Sequence, residues 1–242
     1  MNLKNKTAVI TGVCGHIGYA TATKLSQQGA QVIALVRQDL DNANRKMSQL
    51  GNESRAVLAD VTDCQQLKQA AALIDKCDIL VNAAGVNFKT NTLDISDEEF
   101  DNIIDTNLKG TYFAVQAFYD LLMASGGLVV NISSTAGVMA SPANLAYSAS
   151  KAGVDLITMN LAKLFAPNIR VVGIAPGMMV KPMRSIAGMK QVNAKYLIEL
   201  AEKIPAKRLG TANDVADLIL NLATNMPYVT GQTIILDGGL LL

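Results

Sequence analysis

Short runs of aliphatic and β-branched residues alternate along this chain with longer segments whose apolar positions recur every three or four residues. The short runs predict strands near Ala8–Thr11, Gln31–Val36, Arg55–Ala59, Ile79–Asn82, Leu128–Ile132, Arg170–Ile174 and Thr233–Leu236. The periodic segments predict helices over about His16–Gln28, Asp41–Leu50, Cys64–Ile74, Ser96–Met123, Tyr147–Phe165 and Ala212–Ala223. Two helix starts carry capping signals: Ser96 with Glu99, and Thr211 with Asp214.

Strands such as ILVN and LVVNI are apolar on both faces, as parallel strands covered by helices on both sides must be. The alternation predicts an α/β fold with a doubly wound, seven-stranded parallel sheet, the Rossmann arrangement, in a single domain over residues 1–242. No repeat or linker divides it. One irregular stretch, about 177–193, holds Pro182, Gly188 and four of the ten methionines, and is expected to be a substrate lid.

Composition narrows the function. Half the residues are hydrophobic, 17% are charged and the net charge is +1, so no basic stripe invites nucleic acid and no field draws the chain to a membrane. No apolar run approaches the ~18 residues of a bilayer span. The start MNLKNKTAVITG enters the first strand at once, so no leader is expected. Cys14, Cys64 and Cys77 are odd in number and lack C-x-x-C spacing, and His16 is the single histidine. No metal site is expected, and a reducing cytoplasm fits best.

The stretch Thr11-Gly12-Val13-Cys14-Gly15-His16-Ile17-Gly18 falls between the first strand and the first helix. Glycines there admit a close phosphate, and the helix start offers free N–H groups and a positive dipole end. Cys14 is expected to be a small buried thiol and His16 to face solvent. A second constellation is Tyr147-Ser148-Ala149-Ser150-Lys151, where the four-residue step puts Tyr147 and Lys151 on one helix face. A tyrosine needs help to exchange a proton at neutral pH, and a nearby ammonium favours its phenolate. Ser134, at the end of LVVNISS, can reach the same point.

With these motifs in order, the whole chain resembles the short-chain dehydrogenase/reductases. The resemblance makes TGVCGHIG the nucleotide loop, with Gly12, Gly15, His16, Ile17 and Gly18 beside the cofactor. It matches Asp60 and Val61 to the adenine contact, Asn82, Ala83 and Gly85 to the segment bordering the cofactor, and Pro176 and Gly177 to the turn beside the nicotinamide. Asn107, Ser134, Tyr147 and Lys151 match the family's catalytic residues, with Tyr147 and Lys151 also touching the cofactor. His16 stands where relatives carry the middle glycine, and Gly15 is shifted one place earlier. Lys181 stands where a threonine commonly contacts the nicotinamide amide, so the backbone of Val180 is left for that contact.

The resemblance implies reversible hydride transfer between a nicotinamide and a carbonyl or secondary alcohol carbon of a small molecule. One alternative is a 3-oxoacyl-(acyl-carrier-protein) reductase; another is a nucleotide sensor without chemistry. The stretches Ser125–Leu128 and Ala166–Asn168, where carrier-docking reductases place arginines, are uncharged here. NADP(H) is expected to be preferred, with NAD(H) possible: Val36 replaces the ribose-binding acid, and Arg37 follows it. Asp39 is placed either to neutralise Arg37 or to approach the ribose. The lid's methionines are expected either to close over an apolar substrate, with Arg184 or Lys181 meeting a polar end, or simply to pack the lid onto the sheet. Surplus apolar positions between Ser96 and Met123 (Ile103, Ile104, Leu108, Phe113, Val115, Phe118) and the tail Leu240-Leu241-Leu242 point to self-association, as a homotetramer or, failing that, a dimer.

Overall fold

The computed structural model describes residues 2–88, 93–140, 145–180 and 191–242. Among them, seven parallel strands form one sheet: β1 (Thr7–Thr11), β2 (Gln31–Val36), β3 (Arg55–Leu58), β4 (Ile79–Asn82), β5 (Leu128–Ile132), β6 (Arg170–Pro176) and β7 (Thr233–Leu236). Their order is β3-β2-β1-β4-β5-β6-β7. Strand order reverses between β1 and β4, which opens a crevice at the carboxyl ends of the strands.

Helices α1 (His16–Gln27), α2 (Leu40–Ser48) and α9 (Ala212–Thr224) cover one face. There Ile10 of β1 packs with Leu25 of α1 and Ile219 of α9. Helices α3 (Cys64–Ala72), α5 (Gly110–Ser125) and α7 (Leu145–Phe165) cover the other. There Val9, the neighbour of Ile10, packs with Leu67, Phe118 and Leu161. Successive β1 residues thus feed opposite cores, which is why the strand reads as an unbroken apolar run. Each fully buried side chain of this size stabilises the fold by about 1.5–3 kcal/mol.

The helix expected from Ser96 to Met123 forms in three parts: α4 (Asp97–Ile104), a π-helical turn (Asp105–Lys109) and α5. The turn places one extra residue at Asn107, a feature that apolar periodicity does not reveal. Of the surplus apolar positions, Ile103, Val115 and Phe118 lie in the core. Large apolar side chains that are exposed include Phe100 of α4, Tyr112 of α5, Leu145, Leu156, Met159 and Leu164 of α7, and Leu242 of the tail. Two helices absent from the sequence reading are the short α6 (Thr135–Val138) and α8 (Gln191–Lys203). The irregular stretch expected over 177–193 therefore ends in a helix. Its residues Lys181, Pro182, Arg184 and Gly188 lie outside the described residues. No described helix is long and apolar enough to cross a membrane.

Both capping signals are used. Ser96 Oγ accepts from the Glu99 amide at 3.2 Å. At α9, Thr211 Oγ1 accepts from the Asp214 amide at 3.3 Å while Asp214 Oδ2 accepts from the Thr211 amide at 2.7 Å. Arg208 pairs with both Asp214 oxygens at 2.8 Å, and this cation beside the carboxylate holds the acid well below its ordinary range. Thr211→Ala removes the side-chain cap and should lower unfolding free energy by about 1 kcal/mol, with Thr211→Ser retaining most of it. Urea denaturation of the three proteins measures the difference, and equal midpoints would refute the cap's role.

Candidate active site

The glycine loop is shaped by one positive backbone torsion. Gly12 has φ +68°, and a Cβ there would stand 2.5 Å from the Ala84 amide nitrogen. The loop after β1 thus lies against the segment after β4, and no larger residue fits. Helix α1 begins at once behind it, with Gly15 as N-cap, no side-chain cap and no acidic residue in its first turn. Helices α2, α3, α4 and α9, by contrast, are capped by the side chains of Asp39, Asp63, Ser96 and Thr211. Leaving the first N–H groups of α1 uncapped at the strand-order switch suits a pyrophosphate.

A cavity of about 230 Å³ borders Gly15, His16, Ile17 and Gly18 and reaches Ala83 and Val180. Another of about 300 Å³ is lined by Gly12, Arg37, Asp60, Val61 and Gly85, among others. Together they line the crevice on either side of the glycine loop. Asp60 Oδ1 accepts from both the amide and the hydroxyl of Thr62 at 2.9 Å, which holds its carboxylate on the groove wall. Asn82 turns inward instead: its amide donates to Asn131 Oδ1 at 2.9 Å, so it braces β4 against β5 while Ala83 faces the groove. Cys14 is exposed and lines the groove, contrary to the buried thiol expected for it, because the loop turns outward before α1 starts. His16 is exposed as expected.

Ser134, Tyr147, Lys151 and Asn107 converge at the carboxyl ends of β4 and β5. Ser134 N-caps α6, accepting from the Ala136 amide at 3.2 Å, and its hydroxyl is hydrogen-bonded to that of Tyr147. Lys151 is only 4% exposed; its Nζ donates to the Ile132 carbonyl at 2.8 Å and lies 5.7 Å from the Tyr147 ring centre. Asn107, fully buried in the π-helical turn, clamps the segment after β4. Its Oδ1 accepts from the Val86 amide at 2.8 Å, and its Nδ2 donates to the Val86 carbonyl at 3.0 Å and to Ser150 Oγ at 3.1 Å.

Burial sets the ionisation here. It pushes the Tyr147 phenol up, opposed by the Ser134 hydrogen bond. It pulls the Lys151 ammonium down to about 8, opposed by the negative charge of Asp155. The lysine is expected to favour the phenolate, and its ammonium lies 5.7 Å from the ring centre; burial acts in the opposite direction and raises the phenol.

At the turn expected to border the nicotinamide, Pro176 closes β6 and Gly177 donates to Leu236 at 3.0 Å. The Val180 amide is already committed to the Gly210 carbonyl at 2.8 Å, so Val180 has only its carbonyl left for the contact expected of its backbone. At the end of β2, where the adenosine is expected, Val36 is buried and Arg37 is exposed, with no ion pair among the described residues. Asp39 caps α2 through the Asn42 amide at 3.4 Å, a third role beside the two expected for it. Ser133, Asp155 and Thr233 are not among the candidate site residues that the sequence offers. Only the four-residue step from Lys151 to Asp155 could have signalled one of them.

These features define a nicotinamide-dependent oxidoreductase of the Rossmann type. A sequence profile described as enoyl-(acyl carrier protein) reductase matches residues 12–241. The chain is 34% identical to a 3-oxoacyl-(acyl-carrier-protein) reductase of Thermotoga maritima, covering all of both chains. It is 33% identical to an NAD-dependent glycerol dehydrogenase of Listeria innocua, over 98% of this chain and 94% of that one. Among solved structures, aldohexose dehydrogenase of Thermoplasma acidophilum superposes with a TM-score of 0.87 at 28% identity, covering 99% of this chain and 95% of that one. The chain belongs to the short-chain dehydrogenase/reductase family. It is an oxidoreductase that works with a nicotinamide cofactor on a carbonyl or its alcohol.

Proposed function

We propose that the enzyme transfers hydride between NADP(H) and a free small-molecule carbonyl or secondary alcohol. The observation that carries this reading is the convergence of Ser134, Tyr147 and Lys151 beside an uncapped helix start that fits a pyrophosphate. The nicotinamide supplies or takes the hydride. Tyr147, a protonated phenol by virtue of its burial, gives its proton to the carbonyl oxygen in reduction and takes it back in oxidation. Ser134 donates to the same oxygen and stabilises its developing charge. Lys151 holds positive charge beneath the tyrosine and reaches the nicotinamide ribose. Asn107 fixes the strand-end segment that faces them and supports a water leading from Lys151 to solvent.

A carrier-bound 3-oxoacyl substrate is the second reading, favoured by the full-length identity to the Thermotoga maritima reductase. Charge argues against it. The first turn of α4, which packs on the Tyr147-bearing α7, consists of Asp97, Glu98 and Glu99, and these would repel an acidic carrier. Loss of turnover on free thioesters with retention on carrier-bound ones would reverse the choice.

Cofactor choice rests on Arg37. It stands on the adenosine cavity, while Asp39 spends its side chain on α2 and Val36 carries no charge to repel a 2′-phosphate. One charge-assisted phosphate contact is worth about 1.5–3 kcal/mol, or roughly ten- to a hundredfold in preference. The exposed apolar side chains of α7, with Leu145, Leu156 and Met159 on one helix face, support assembly into a homotetramer.

Three outcomes follow from this reading. Tyr147→Phe should cut turnover by about 10²–10⁴-fold while leaving NADPH affinity intact; substantial residual turnover would remove Tyr147 from the chemistry. NADPH should exceed NADH in kcat/KM, and Arg37→Ala should erase most of the difference; an NADH preference in the unmutated enzyme overturns the assignment. Sedimentation at micromolar concentration should give four times the 25.6 kDa chain mass, and a mass of one chain contradicts the assembly.

A further inference from the structure

One turn beyond Lys151 on α7 stands Asp155, a half-buried carboxylate that the proton transfer just described does not use. The four-residue step puts it on the same helix face as Tyr147 and Lys151. It is held from two other elements. Thr233 Oγ1, at the start of β7, donates to Asp155 Oδ1 at 3.0 Å. Ser133, just past β5, stands between two acceptors that share its one hydroxyl proton, the Lys151 carbonyl at 3.2 Å and the Asp155 carboxylate. The Thr233 hydroxyl can reach across because the strand between is bare at that point. Gly173 of β6 is its register partner, and a Cβ there would stand 2.4 Å from Thr233 Oγ1. Thr233, Ser133 and a missing methyl group at Gly173 therefore hold one carboxylate in place a single helical turn beyond the active-site lysine.

We propose that Asp155 is a positioning residue of the reaction: it is the built-in counter-ion that keeps Lys151 cationic beneath Tyr147. This rests on the role given to Lys151 above. Burial disfavours the charged form of both partners, and each charge offsets the other's cost. Among the described residues, the ionisable groups around Lys151 are Tyr147 and Asp155 on α7. β5 contributes the Ile132 carbonyl and the Ser133 hydroxyl, β7 the Thr233 hydroxyl, the π-helical turn the Asn107 amide, and β6 the bare Gly173. None of these last five is charged. The Asp155 charge therefore sets how far up the pH scale the lysine stays protonated.

The sign follows directly. Carbonyl reduction needs the ammonium, so kcat/KM should be high at pH 6 and fall as pH rises through about 8. Asp155→Asn keeps the shape and removes the charge, so the alkaline limb should move to lower pH. The expected effect is about a fivefold loss of kcat/KM at pH 8 with little loss at pH 6, and Asp155→Glu should restore most of it. A purely structural tie between α7 and β7 would lower thermal stability without moving the limb.

A second readout needs no turnover. The Lys151 side-chain carbon resonance of the cofactor-free enzyme, assigned by its loss in Lys151→Met, should titrate at lower pH in Asp155→Asn. Coupling is reciprocal, so the Asp155 carboxyl should titrate at higher pH in Lys151→Met even if Asp155→Asn does not fold. Unmoved titrations in the folded variants overturn the proposal. Full activity in Tyr147→Phe would instead overturn the role assigned to Tyr147 and Lys151, leaving the measured coupling intact.

Discussion

The structure depends on burying one cation. Lys151 is 4% exposed, and an ammonium taken out of water at that depth loses hydration that only nearby oxygens can replace. The oxygens come from separate parts of the chain. Ile132 supplies a carbonyl from the end of β5, and Asp155 supplies a charge from the next turn of the same helix. Neither would be in place without the sheet that sets α7 across β5 and β6. The buried lysine and the packing of α7 are thus one constraint: loosening the helix exposes the cation, and removing the cation's partners costs the helix a reason to pack.

The sheet order turns that local problem into a site. Because β1 and β4 are neighbours while their helices leave to opposite faces, the loops after them splay apart and form a crevice. Gly12 lets the two loops touch at its base. The uncapped start of α1 opens on one side of the crevice, and the Ser134–Tyr147 hydroxyl pair closes the other. Asn107 locks the strand-end segment between them through both its side-chain atoms. The π-helical turn pays for this geometry with one irregular turn in an otherwise regular helix.

How much of this was legible in the sequence follows from the range of each interaction. Strands and most helices were readable because periodicity is local: Gln31–Val36, Ile79–Asn82 and Thr233–Leu236 form with the bounds that their apolar runs suggested. The glycine loop and the Tyr147–Lys151 pair were readable because their spacing is short. α8 was not, since the methionine-, proline- and glycine-bearing stretch before it hides where regular structure resumes. Cys14 was misjudged because residue type predicts average burial, whereas the loop's path decides the actual case. Asp39 was ambiguous until α2 claimed its side chain. The bond from Thr233 to Asp155 joins residues 78 positions apart, and no pattern along the chain announces it.

That long-range bond bears on how one fold supports different reactions. The residues that touch a carbonyl in such an enzyme are few, and their chemistry leaves little room to vary. The groups behind them are less constrained, because a counter-ion can act through space from any position the packing allows. In this chain the position lies one turn behind the lysine, and it works only while Gly173 stays bare and Thr233 keeps its hydroxyl. Three residues that never face the crevice therefore govern the charge state of one that does. The working pH of the site is tuned at Asp155 on α7 or at its supports on β6 and β7, away from the crevice that receives the substrate.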